Sequence, residues 1–129
     1  METKKIILME DDPDIAWLTQ LQLERAGYRV HAANDGRGGL DAFLNDGADL
    51  LLIDIDLPGL NGWEVCTHVR SVSQVPIIML TAYPQKGEAR QSGDQRCERV
   101  IEKPFTFATL LDGIADTFRV PALGPGGAH

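Results

Sequence analysis

The stretch Leu50-Leu51-Leu52-Ile53-Asp54-Ile55-Asp56-Leu57-Pro58-Gly59 is an apolar run that ends in a carboxylate and then in a turn. An unbroken apolar run of strand length, closed by Pro and Gly, reads as a strand buried on both faces, as in the middle of a parallel sheet. Asp54 is then held where that strand breaks into a loop. In open α/β sheets, chemistry collects at the carboxyl ends of the strands. Three more apolar runs end in reactive side chains: Ile6-Ile7-Leu8-Met9 in Glu10-Asp11-Asp12, Ile77-Ile78-Met79-Leu80 in Thr81, and Val100-Ile101-Glu102 in Lys103-Pro104. Acids, a nucleophile, a hydroxyl and an ammonium converge on one rim.

Apolar runs near residues 5–9, 29–33, 50–54, 76–80 and 99–102 alternate with longer amphipathic or polar stretches. This is the pattern of a doubly wound α/β fold, with five parallel strands joined by five helices. The first helix is capped by Asp12, has Pro13 at its first position and ends at Gly27. On it Ile15, Leu18 and Ala26 share one face, and Trp17 points almost opposite Ile15, which makes its ring a candidate contact surface. The last helix starts near Thr106 and carries Phe107, Leu110, Leu111, Ile114 and Phe118 on one core-facing stripe. Between Tyr83 and Cys97 there is no large apolar side chain, and Gly87 and Gly93 lie inside the stretch. A helix with nothing to bury is poorly supported, so the fourth helix is expected to be short, irregular or mobile. Residues 1–119 read as one domain and 120–129 as a flexible Pro/Gly-rich tail or linker stub.

A chain of 129 residues can bury a core without disulfides or a structural metal. Its 19 acidic and 12 basic residues give a net charge of −7, which repels nucleic acid and anionic lipid. No direct nucleic-acid contact is expected. Cys66 and Cys97 lack the number for a disulfide framework and the spacing of a zinc site, so both are expected as reduced thiols in a cytosol. The N-terminal apolar run is too short for a signal peptide or a membrane span, which predicts a cytoplasmic protein.

On the rim, Glu10, Asp11 and Asp54 would repel one another. At ~4 Å and an effective dielectric near 20, each like-charge pair costs roughly 4 kcal/mol, so a cation belongs there. Carboxylates, a carbonyl and water suit Mg²⁺, with Mn²⁺ able to substitute. A phosphoryl group on Asp54 would have its oxygens neutralised by the metal, by the Lys103 ammonium and by the Thr81 hydroxyl, with Ala82 leaving room beside it. The product is an aspartyl phosphate, which water can hydrolyse.

The four blocks Ile-Ile-Leu-Met-Glu-Asp-Asp-Pro-Asp-Ile, Leu-Leu-Ile-Asp-Ile-Asp-Leu-Pro-Gly-Leu-Asn-Gly-Trp-Glu-Val, Ile-Met-Leu-Thr-Ala and Val-Ile-Glu-Lys-Pro-Phe closely resemble receiver domains of two-component response regulators, the chemotaxis-type stand-alone receivers among them. The resemblance covers residues 4 to about 119 and implies a flavodoxin-like sheet of order 2-1-3-4-5. It also implies Asp54 as phospho-acceptor, Asp11 as direct metal ligand and Glu10 as the acid that reaches the metal through water. Asp56 would offer its backbone carbonyl to the metal. Thr81 and Lys103 match the residues that contact the phosphoryl group, Ala82 lies beside them, and Pro104 matches a cis-proline position. Asp56 and Tyr83 occupy places that tune phosphoryl lifetime, and Trp17 lies on the side from which donors dock. The implied function is a Mg²⁺-dependent phospho-accepting domain that assists its own phosphorylation and dephosphorylation and is not a separate enzyme. Its implied partners are a sensor histidine kinase or phosphotransfer protein and a downstream target or fused output domain.

Two departures stand out. Val100 replaces the usual aromatic switch residue, and the fourth helix lacks the apolar positions used for dimerisation, so a monomer or weak dimer is expected. Two rival readings are a receiver that signals without phosphorylation and a small haloacid-dehalogenase-like phosphatase using Asp54 and Asp56. Against the phosphatase, Glu10-Asp11 precede the nucleophile, whereas those enzymes place their metal acids after the lysine.

Overall fold

The apolar runs form strands β1 (Lys5–Met9), β2 (Arg29–Ala33), β3 (Leu50–Asp54), β4 (Ile77–Thr81) and β5 (Arg99–Glu102). All pair in parallel in the order 2-1-3-4-5, in a computed structural model that describes residues 3–83 and 96–119. Every residue of β3 and β4 is buried, which is why neither strand alternates in sequence. The period of two still divides them, because alternate residues feed opposite faces. Ile7, Met9, Leu51, Ile53, Ile77 and Met79 pack beneath α2 (Gly36–Asp46) and α3 (Gly62–Arg70). Ile6, Leu8, Leu50, Leu52, Ile78 and Leu80 pack beneath α1 (Pro13–Arg25) and α4 (Phe107–Arg119). On α4, Leu110 and Ile114 are fully buried, and Phe107, Leu111 and Phe118 pack against the same cluster.

The first helix starts as its sequence dictates: the Asp12 carboxylate accepts the Asp14 and Ile15 N–H groups at 2.9 and 3.1 Å. Its inward line is different from the expected face. Thr19 and Leu23 are buried and Ala16 packs on the core, whereas Ile15 and Leu18 remain 44% and 42% exposed and Ala26 is the exposed C-cap. Small Ala16 and Thr19 let the helix lie close to the sheet, and the bulkier Ile15 and Leu18 turn towards the rim. The expected irregular fourth helix falls on residues 84–95 and the expected tail on 120–129, both outside the described residues.

The amino ends of β4 and β5 are joined by one side chain. Arg70, at the end of α3, donates to the carbonyls of Arg96 (3.0 Å) and Val75 (2.7 Å), and its other nitrogen meets Glu98 at 3.0 Å. Glu98 in turn accepts the Ile77 N–H at 2.7 Å. Because the Arg70 side chain is only 4% exposed, removing it strands a half-buried carboxylate and several carbonyls. Arg70→Ala is expected to lower unfolding stability by about 3 kcal/mol, read as a lower urea midpoint at unchanged slope.

Candidate functional site

The sheet register sets the rim. Met9 pairs with Ile53, Asp54 with Leu80, and Thr81 with Glu102, so the carboxyl ends of β1, β3, β4 and β5 are level. Main-chain bonds continue one residue past each strand: Glu10 N–H to Ala33 O at 3.1 Å, Ile55 N–H to Leu80 O at 2.9 Å, and Lys103 N–H to Thr81 O at 2.7 Å. The acids, the hydroxyl and the lysine therefore leave a backbone that is already fixed.

Glu10, Asp11 and Asp54 each place a carboxylate oxygen within 4.8 Å of the others. Asp54 is 5% exposed and Glu10 2%, while Asp11 faces solvent. The two Asp54 oxygens have different partners. Oδ1 accepts the Asp56 N–H at 2.9 Å, and Oδ2 meets the Lys103 ammonium at 3.0 Å. The same ammonium lies 3.4 Å from Glu10 Oε1, and Glu10 Oε2 accepts the Asp12 N–H at 3.2 Å. Burial pushes the Glu10 carboxyl above its usual range; the Asp12 N–H and Lys103 oppose this, and the Asp54 charge adds to it. Burial would lower Lys103, but the hydrogen bond and charge of Asp54, followed by those of Glu10, outweigh it and hold the ammonium charged.

Three carboxylates face one ammonium, so two negative charges remain uncompensated when all three acids are ionised. All the donors are hard oxygens, and a divalent hard cation of the Mg²⁺ class fits both the charge and the donor set. Glu10, Asp11 and Asp54 are the side chains that would hold it.

Thr81 is fully buried, and its hydroxyl is engaged by the main chain two residues on: it accepts the Tyr83 N–H at 2.9 Å and donates to Tyr83 O at 3.2 Å. Ala82 and half-exposed Tyr83 follow at the surface, as does Asp56 in the loop after Asp54. The Lys103–Pro104 peptide bond is cis. Val100 is half-buried against the cluster beneath α2 and α3. Trp17 is 66% exposed on α1. Ile15, Leu18, Ala82, Lys103, Phe105 and Phe107 line a groove of about 430 Å³. Sequence reading missed this groove. The only local signal was the apolar pair Phe105 and Phe107 after Lys103-Pro104, since α1 and the β5–α4 connection are far apart in the chain.

Gly62 was also missed as a site residue. Asn61 caps α3 in a reciprocal box with Glu64, each side chain accepting the other's N–H at 2.9 Å. The Gly62 N–H donates to Ile55 O at 3.0 Å, which draws the start of the helix onto the chain leaving β3.

The family model for the response regulator receiver domain matches residues 6–115. The transcriptional regulatory protein CseB of Streptomyces coelicolor is 38% identical over 114 residues, which is 88% of this chain and 49% of that protein. The chain thus spans about half the length of the curated relatives it matches. Among solved structures, the chemotaxis response regulator CheY4 of Vibrio cholerae superposes with a TM-score of 0.82 at 29% identity, covering 90% of this chain and 99% of that one. TrrA of Thermotoga maritima, solved in complex with Mg²⁺-BeF, gives 0.81 at 29% identity, covering 89% and 99%. Among the described residues no helix is long and apolar enough to cross a membrane.

Proposed function

The chain belongs to the response regulator receiver domain family, whose general function is phosphorylation on aspartate, and from that premise we propose that Asp54 accepts a phosphoryl group from a phosphohistidine donor. The observation that carries this assignment is the asymmetric clamp on Asp54: a buried carboxylate with one oxygen on the Asp56 N–H and the other on Lys103, beside Glu10 and Asp11. In the transfer, an Asp54 oxygen forms the new bond to phosphorus, the phosphorus–nitrogen bond breaks, and the imidazole leaves. Bound among the acids, Mg²⁺ supplies charge neutralisation for the phosphoryl oxygens. Lys103 is placed to neutralise a further oxygen. The Thr81 hydroxyl reaches the group only by leaving the Tyr83 main chain. Asp56 and Tyr83 flank the site and tune hydrolysis of the acyl phosphate, so the domain assists its own phosphorylation and dephosphorylation without acting on a separate substrate. The test is the intact mass after incubation with Mg²⁺ and a small phosphodonor. A gain of one phosphoryl group is expected, absent in Asp54→Asn and in a chelated sample; a gain that survives Asp54→Asn would place the acceptor elsewhere.

The donor is a sensor histidine kinase or a phosphotransfer protein, and the output is a downstream protein or a fused domain. With a net charge of −7, the receiver itself makes no DNA contact. Trp17, a large ring exposed on α1, is assigned to donor docking. Trp17→Ala is expected to slow transfer from a phosphohistidine protein about tenfold while leaving acceptance from a small phosphodonor unchanged. Equal slowing with both donors would move its role from docking to folding.

A further inference from the structure

We propose that Cys66 and Cys97 are a redox pair, which an oxidant of the hydroperoxide class joins as an intramolecular disulfide tying α3 to the chain entering β5. Cys66 is fully buried within α3, and its thiol donates to the carbonyl of Arg96 at 3.3 Å. Cys97 is the next residue, half-buried and packed against the same apolar cluster. In a planar trans peptide the carbonyl oxygen lies about 2.8 Å from the following Cα. The Cys66 sulfur is therefore no more than about 6 Å from the Cys97 Cα, and the proposed bond requires the two Cα atoms to stand within about 7 Å of each other. The juxtaposition is fixed by other bonds. The Arg96 carbonyl that receives the Cys66 thiol also receives the Arg70 guanidinium at 3.0 Å, and Glu98, one residue beyond Cys97, is held by Arg70 and by the Ile77 N–H. Neither sulfur belongs to the acidic rim.

Exposure divides the roles. Cys97, the more accessible, meets the oxidant: its thiolate attacks the peroxide, the oxygen–oxygen bond breaks, and a sulfenic acid forms with release of an alcohol or water. The Cys66 sulfur then attacks the Cys97 sulfur and expels water, so two thiols and one hydroperoxide give one disulfide, one alcohol or water, and one water. Cys66 alone is shielded within the core; beside Cys97 it is the resolving thiol.

The test exposes the native chain to hydrogen peroxide, alkylates remaining thiols after denaturation, and maps peptides without reductant. The expected result is a Cys66–Cys97 linked peptide pair, lighter by two hydrogens and cleaved by dithiothreitol. Cys66→Ala, an apolar replacement suited to the core, is expected to stop Cys97 at the sulfenic acid, captured by dimedone. Oxidation of Cys97 to sulfinic or sulfonic acid while Cys66 stays fully alkylatable would overturn the proposal. So would a link that forms only in unfolded protein, or only between two chains. Mapping the wild-type chain gives a decision even if a variant fails to fold.

Discussion

Replacing Lys103 by methionine is expected to tighten Mg²⁺ binding about tenfold while slowing phosphoryl acceptance about a hundredfold. The two effects have opposite signs because the ammonium does two things. In the resting site it lies 3.0 Å from Asp54 and 3.4 Å from Glu10, where it competes with any metal for the same carboxylates. In the transfer proposed above it neutralises charge developing on the phosphoryl oxygens, and loss of one such preorganised partner costs roughly two to three orders of magnitude in comparable sites. Without metal, the variant leaves two buried acids uncompensated and should lose about 2 kcal/mol of stability, which saturating Mg²⁺ restores. The sign of the pH dependence follows from Glu10. Its folded pKa is already raised, and losing Lys103 raises it further, so the stability deficit is present at neutral pH and shrinks as pH falls through that pKa. Calorimetric Mg²⁺ titration and the intact-mass assay read both arms; unchanged metal affinity would show that the ammonium does not compete for the acids.

The second large effect is expected at Gly62. A Cβ there would lie 2.8 Å from the Ile55 Cα and 2.9 Å from the Asp54 carbonyl oxygen, both main-chain atoms that cannot swing aside. Gly62→Ala must either lift the start of α3 or displace the chain leaving β3. We expect a loss of about 3 kcal/mol in urea unfolding and at least tenfold slower phosphoryl acceptance, because a shift well below an ångström at Asp54 spoils its approach. Gly59 supplies the contrast: its φ of +69° disfavours alanine, but nothing lies within 4 Å of the added atom. Gly59→Ala should cost only about 1 kcal/mol and leave the acceptance rate intact. If the two variants behave alike, the close approach of α3 to Asp54 has no energetic consequence.

The central strands could be read from the sequence because burial on both faces removes polar residues from β3 and β4, and Asp54 stood out as the charge that ends such a run. Strand order was another matter. Apolar runs do not say which run lies beside which, and the order came from resemblance to a family. The face of α1 was misread for a physical reason: counting large apolar residues selects Ile15 and Leu18, whereas contact with the sheet is made through Ala16, Thr19 and Leu23. The engagement of the Thr81 hydroxyl by Tyr83 left no trace in composition or spacing, since any residue has the backbone groups it uses. The same holds for Arg70, whose partners are mostly carbonyls.

The frame of the rim is main chain. Glu10, Ile55 and Lys103 are each anchored by a backbone bond just past their strands, whereas Asp56, Ala82 and Tyr83 present surface side chains beyond those anchors. Natural variation can therefore act on two nearly separate sets of positions. On the function proposed above, exchanges at Asp56 and Tyr83 are expected to lengthen or shorten the memory of a signal without touching those anchors. A lineage that needs a new response time would then explore those two places while the main-chain frame of the rim is inherited unchanged.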